Sequence, residues 1–159
     1  MKRIGDLERK YVLDVLDGDF RTSTGAKYVN LLEKEFTKKI GSEFAVSFIN
    51  GTATMHACLE AWNVGPGDEV IVPPLTMSST TFAVVQCGAT PVFADVDKDT
   101  FVIDTKSIEK KISSKTKAII PVSLYGLSPD YDALNKLKEV NGIKVLGDHA
   151  ECFLGKYNN

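Results

Sequence analysis

The chain has 159 residues, 43% hydrophobic and 25% charged, with 19 Lys and Arg against 21 Asp and Glu, which is long enough for one domain with a buried core and short for two. A net charge of -2 leaves no basic footprint for nucleic acid or an anionic membrane surface, and no apolar run approaches the ~18–20 residues needed to cross a bilayer. The opening Met1-Lys2-Arg3-Ile4-Gly5-Asp6 turns acidic before an apolar signal region can form, and three scattered cysteines (Cys58, Cys87, Cys152) suit a reducing, cytoplasmic compartment better than a disulfide framework.

Two helical patterns come first. Ile4, Leu7, Tyr11, Val15 and Leu16 recur at helical spacing over 4–17 before Gly18, residues 21–25 read as a polar loop, and Val29, Leu32, Phe36 and Ile40 mark a second helical face that Gly41 ends. The period then changes. Residues 44–49, Phe-Ala-Val-Ser-Phe-Ile, predict a buried strand broken by Asn50-Gly51. Met55, Cys58, Leu59 and Trp62 predict a helix, 69–72 a strand stopped by Pro73-Pro74, 78–87 a helix and 90–94 a strand. Asp104 is placed to cap a helix carrying Ile108 and Ile112. A strand at 118–120, a helix carrying Leu134 and Leu137, and a fifth strand at 143–146 complete the alternation. Strand and helix alternating every 20 to 25 residues or so predict an α/β fold with a mostly parallel, helix-covered sheet. Ligands of such sheets sit at the carboxyl ends of the strands.

The chain has no Gly-rich dinucleotide fingerprint, no phosphate-binding P-loop and no Cys-x-x-Cys pair, which counts against a generic α/β nucleotide-binding domain. His149-Ala150-Glu151 imitates half of a zinc-deaminase signature, but no Pro-Cys-x-x-Cys follows, so no metal site is expected there. His56, among apolar neighbours, reads by default as a core or interface histidine. Asn50-Gly51-Thr52-Ala53 has two readings: an anion site on the free amides at a helix N-terminus, or an ordinary strand–helix turn with a hydroxyl cap. Asp148, directly after the fifth strand, likewise either caps a helix or turns a carboxylate toward the ligand crevice, where it could hold a metal or pair with a cationic nitrogen.

Taken in order, 50–53, 65–73 (Gly-Pro-Gly-Asp-Glu-Val-Ile-Val-Pro), 88–97 (Gly-Ala-Thr-Pro-Val-Phe-Ala-Asp-Val-Asp), 116–126 (Thr-Lys-Ala-Ile-Ile-Pro-Val-Ser-Leu-Tyr-Gly) and 148–151 (Asp-His-Ala-Glu) resemble the DegT/DnrJ/StrS family of pyridoxal-phosphate (PLP) sugar aminotransferases. Thr24-Gly25 and the helix with Leu32-Glu33 extend the likeness to the opening segment. The resemblance implies the N-terminal part of the PLP fold-type I, or aspartate-aminotransferase-like, large domain. It divides the chain into a helical segment at 1–41 and a partial PLP-binding large domain at 42–159, without the family's small C-terminal domain.

It also implies roles for single residues. Gly51, Thr52 and Ala53 would cradle the PLP phosphate, and Asp148 would pair with the protonated pyridine nitrogen. Glu151 stands where the family often has Gln near the phenolic oxygen, and Met77 where many members stack an aromatic ring. The family's Schiff-base lysine lies well downstream of the Asp-x-Ala segment. Lys156, only eight residues after Asp148, matches the strand or turn just past the motif and is not that lysine. The implied activity is amino transfer, commonly from glutamate, to a nucleotide-linked keto sugar in polysaccharide or deoxyamino-sugar biosynthesis. This stretch alone is expected to be inactive. A homodimer, or a missing C-terminal half, is the implied partner. The alternatives are a non-catalytic half-enzyme that associates with a partner chain, and a PLP-dependent sugar dehydratase of the same family.

Overall fold

In the computed structural model, which describes residues 3–18 and 26–158, the strands form around four short apolar runs. They are β1 (Glu69–Val72), β2 (Thr90–Phe93), β3 (Thr116–Ile119) and β4 (Lys144–Val145), all parallel, in the order β2-β1-β3-β4. The register sets Ile71 between Val92 and Ile119, and Ile119 beside Val145. Pro73 and Pro121, both fully buried, lie just beyond β1 and β3 and bring no N–H that the sheet would have to satisfy.

Successive strand residues face opposite sides of the sheet, and both sides are covered. Val70, Val72, Ala118 and Ile120 pack with Met55 and Leu59 of α3 (Gly51–Ala61) and with Ala83 and Val84 of α4 (Ser78–Gln86). Ile71 and Ile119 pack on the other face with Ile108 of α5 (Thr105–Glu109) and Leu134 of α6 (Tyr131–Asn141). Each fully buried Leu or Ile contributes about 1.5–3 kcal/mol of transfer free energy, and the alternation explains why these strands read as continuous apolar runs.

The connections locate the crevice. From the carboxyl end of β1 the chain crosses through α4 on one face to β2, and from that of β3 it crosses through α6 on the other face to β4. Neighbouring strands whose connections leave in opposite directions make a topological switch point, open between the carboxyl ends of β1 and β3. The turn between α3 and β1, closed by the Val64 amide on the Leu59 carbonyl (3.0 Å) and the Asp68 amide on the Gly65 carbonyl (3.0 Å), reverses the chain. Because α3 ends just before β1 begins and its Met55 and Leu59 pack with Val70 and Val72, the helix runs back along the strand and its N-terminus lies toward the carboxyl edge.

The chain divides into two compact units, Met1–Ser47 and Phe48–Asn159. The first holds the predicted helical pair as α1 (Asp6–Leu16) and α2 (Lys27–Ile40). Asp14 accepts hydrogen bonds from Lys27 Nζ and from the Tyr28 hydroxyl (2.6 Å), and the Tyr11 and Tyr28 rings lie 5.1 Å apart. Glu33 accepts from both the amide (2.8 Å) and the hydroxyl (3.0 Å) of Ser47. The predicted loop at 21–25, and with it Thr24-Gly25, lies outside the described residues.

One predicted element is corrected. Residues 44–49 form no strand: they carry no regular structure and make no ladder to any described strand. Phe44 is 77% exposed and Ile49 is 92% exposed. Strand conformation is held by cross-strand hydrogen bonds and packing, and an apolar, β-branched run cannot supply its own partner. The fifth predicted strand is shortened to Lys144–Val145, at one edge of the sheet.

Candidate functional site

At the α3 N-terminus Asn50, with extended backbone, turns its side-chain oxygen onto the Ala53 amide at 2.9 Å, and its carbonyl takes the Thr54 amide (3.2 Å) and hydroxyl (3.1 Å). The cap is therefore Asn50 and not the Thr52 hydroxyl that the turn reading suggested. Of the three residues at 51–53, Ala53 has its amide occupied, whereas the Gly51 and Thr52 amides precede the first intrahelical acceptor. A Cβ built on Gly51 would meet nothing within 4 Å, so this end of the helix is open.

Asp148 stands across the crevice. The β3–β4 pairing continues past the strands: the Asp148 amide donates to the Pro121 carbonyl (2.9 Å) and the Ser123 amide to the Asp148 carbonyl (2.9 Å). This fixes the Asp148 backbone. Its half-buried carboxylate accepts at Oδ2 from the Thr80 hydroxyl (3.2 Å) and at Oδ1 from the Ala150 amide (3.2 Å). One oxygen thus closes a local turn, as a cap would, while the other faces α4. Among the described residues no cation lies within ion-pair distance of it.

Thr80 escaped sequence reasoning. It is fully buried in the first turns of α4, and its hydroxyl lies 3.3 Å from that of Thr76 in the loop after β1. The usable signal was a lone hydroxyl at a position whose partners three, four and seven residues on, Ala83, Val84 and Cys87, are core. A second missed group surrounds His149, whose Nδ1 is 2.9 Å from the hydroxyl of the fully buried Ser123 and whose Nε2 is 3.4 Å from that of Tyr131. Burial pushes the Tyr131 phenol above its usual pKa. A Cβ on Gly147 would sit 2.6 Å from His149 Nε2, so this ring position requires glycine there.

The other predicted residues lie farther out. Met77 is the N-cap of α4 and 66% exposed. Glu151 is exposed, with Oε2 accepting from the Tyr125 amide at 3.3 Å. Tyr125 itself takes a left-handed conformation (φ 52°) in the 3-10 turn Leu124–Gly126, a strain of about 1–3 kcal/mol for a residue with a side chain. Lys156 is exposed in the segment after the site.

The sequence profile of the DegT/DnrJ/EryC1/StrS aminotransferase family matches residues 2–159. The chain belongs to that family. GDP-perosamine synthase of Caulobacter vibrioides is 39% identical over 155 residues, which are 98% of this chain and 42% of that protein. The aminotransferase of Psychrobacter cryohalolentis superposes with a TM-score of 0.89 at 34% identity, over 93% of this chain and 38% of its own. GDP-4-keto-6-deoxymannose-3-dehydratase, solved with a trapped PLP–glutamate species, superposes with a TM-score of 0.87 at 32% identity, over all of this chain and 42% of its own. The chain thus spans about two-fifths of the length of the relatives it matches. Membership agrees with the fold: a parallel, helix-covered sheet corresponding to part of the PLP aminotransferase architecture, in a family whose cofactor is PLP. The donor set suits that cofactor, with open amides and a helix dipole for a phosphate and, on the same edge, a carboxylate without a cation for a protonated ring nitrogen.

Proposed function

We propose that the chain forms the cofactor-holding part of a PLP-dependent aminotransferase that moves an amino group, commonly from glutamate, onto a nucleotide-linked keto sugar. The observation that carries this reading is the shared carboxyl edge of the α3 N-terminus and Asp148, an anion cradle and an anchored carboxylate, in a chain that matches the family along its length. The Gly51 and Thr52 amides would hold the phosphate. Ala53 belongs to the cradle by position, with its own amide engaged by Asn50. Asp148 would hold the ring-nitrogen proton, and bound PLP supplies an electron sink for charge developing beside it. Thr80 and the Ala150 amide keep the Asp148 carboxylate oriented. Met77 would lie against the ring through a polarizable sulfur, and Glu151 near the phenolic oxygen.

Lys156, exposed and just past the motif, is not the lysine that bonds the cofactor, so residues 1–159 by themselves are inactive in this reading. The opening helices and the part from about residue 42 are two functional segments, and a second copy or a further segment of chain completes the site. The three cysteines are free thiols, which suits a cytoplasmic protein. Among the described residues no helix is long and apolar enough to cross a membrane. The likeness to a sugar dehydratase over the whole chain supports dehydration as a second reading of the same site. The exposed apolar residues Phe44, Val46 and Ile49 support association with a partner chain as a third.

The test is equilibrium binding of PLP to the chain and to Asp148→Ala. A charge-assisted hydrogen bond of about 1.5–3 kcal/mol predicts a loss of roughly 10- to 100-fold in affinity. Equal affinity in the two proteins would refute the assignment of Asp148.

A further inference from the structure

Between α3 and the end of α4 three side chains of metal-ligating type converge, none of which the cofactor reading uses. His56 and Glu60 stand one turn apart on α3, with Nε2 3.4 Å from Oε1. Residues four apart on a helix share a face. Cys87, buried at the C-terminal cap of α4, completes the group, and all three ligand atoms lie within 4.8 Å of one another. The Cys87 thiol reaches the Ala83 carbonyl at 3.3 Å and the His56 carbonyl at 4.0 Å, which holds the end of α4 against the middle of α3.

A second observation points to a missing partner. His56 Nε2 is fully shielded from solvent and has no hydrogen-bond partner, because the contact with Glu60 is not aligned as one. A shielded ring nitrogen without a hydrogen-bond partner forfeits its hydration, a penalty that a bound ion aimed at its lone pair would remove.

We infer that His56, Glu60 and Cys87 form a binding site for a borderline-soft divalent transition-metal ion of the zinc class. The donor set, one imidazole nitrogen, one thiolate and one carboxylate, is the mixed N, S, O set such ions take, with a fourth position left for water. Ligands at about 2.0–2.3 Å around a tetrahedral ion are about 3.3–3.7 Å apart. The His56–Glu60 separation, 3.4 Å, already has that value, and the longest separation in the group, within 4.8 Å, exceeds it by at most about an ångström. A neutral imidazole, a thiolate and a carboxylate around a divalent ion sum to zero charge, which suits a site half inside the core. Binding deprotonates the thiol: the S–H bond breaks, the S–metal bond forms and the proton goes to solvent. Burial, and secondarily the Glu60 charge, raise the Cys87 thiol above its usual pKa. Once filled, the site ties α3 to α4.

The test is titration of the metal-free chain with Co2+ as a spectroscopic stand-in, followed by displacement with Zn2+. One Co2+ per chain with a thiolate-to-cobalt charge-transfer band is expected. The band disappears in Cys87→Ala. In Glu60→Gln, a change at an exposed position that leaves the core intact, affinity falls at least ~10-fold, as the loss of a ligating group demands. Asp148→Ala binds cobalt like the parent, so this result stands apart from the cofactor reading. Absence of the band in the parent chain, its survival in Cys87→Ala through Cys58 or Cys152, or Glu60→Gln binding within twofold of the parent would each overturn the site.

Discussion

Replacing Thr80 with Val tests how the Asp148 carboxylate is anchored. The side chains are nearly the same shape and the site is fully buried, so the exchange removes a hydroxyl without opening a cavity. What is lost is the hydrogen bond to Asp148 Oδ2 at 3.2 Å, together with the 3.3 Å contact to Thr76. Hydrogen bonds to charged groups contribute about 1.5–3 kcal/mol. This one is longer than the ~2.5–2.7 Å usual for a hydroxyl on a carboxylate, which places it at or below the low end. The added apolar burial of Val offsets part of the loss. A net destabilisation of about 1 kcal/mol follows, which a urea m-value near 2 kcal/mol/M converts into a midpoint lowered by about 0.5 M. The discriminating assay is a double-mutant cycle with Asp148→Asn, read by urea unfolding. A coupling of about 1 kcal/mol is expected, outside the ~0.3–0.5 kcal/mol scatter of independent sites. Additive single changes would refute the anchoring of Asp148 by Thr80.

Other outcomes follow from single contacts. Gly147→Ala places a methyl group 2.6 Å from His149 Nε2 and 2.9 Å from the Tyr131 hydroxyl. It should cost about 1–3 kcal/mol as overpacking, measured by urea unfolding, and much less in a His149→Ala background. Asn50→Ala removes the α3 cap and should lower stability by about 0.5–2 kcal/mol, with amide exchange at 53 and 54 rising first. Asp130 caps α6 through the Ala133 amide, and that bond holds its carboxyl below the usual range. Its folded pKa is depressed, so its stabilisation is complete above the unfolded value of about 3.9 and is lost as pH falls through the folded value. The stability gap between the parent and Asp130→Ala should therefore be constant near neutral pH and shrink in acid; a gap that persists or widens in acid refutes the cap.

Much of the architecture was legible because the sheet is covered on both sides. Apolar runs at 69–72, 90–94 and 118–120, punctuated by Pro73-Pro74 and Gly88, became β1, β2 and β3 with ends shifted by a residue or two. The run at 44–49 carried the same signal and formed no ladder, since an apolar pattern reports the wish to be buried and not the presence of a partner. The 3-10 turn at Leu124–Gly126 has no period to detect and depends on the left-handed Tyr125. At the site, Asn50-Gly51 and Asp148 stood out because each follows an apolar run at a break. Thr80, Ser123 and Tyr131 did not. Their roles depend on contacts across 68, 26 and 18 residues of sequence, which no local pattern encodes. His56 read as a core or interface histidine; its side chain is partly exposed, and only the approach of Cys87 from α4 brings the third ligand atom near.

The central claim is that one carboxyl edge holds the two ends of a pyridoxal phosphate molecule. Amide NMR of the 15N-labelled chain, titrated first with PLP and then with pyridoxal, which lacks the phosphate, tests it most directly. PLP should shift the Gly51 and Thr52 amides together with those around Asp148, pyridoxal should shift only the Asp148 group, and borohydride should leave Lys156 unmodified. Identical shifts with the two ligands, shifts confined to other parts of the chain, or a covalent adduct on Lys156 would contradict it.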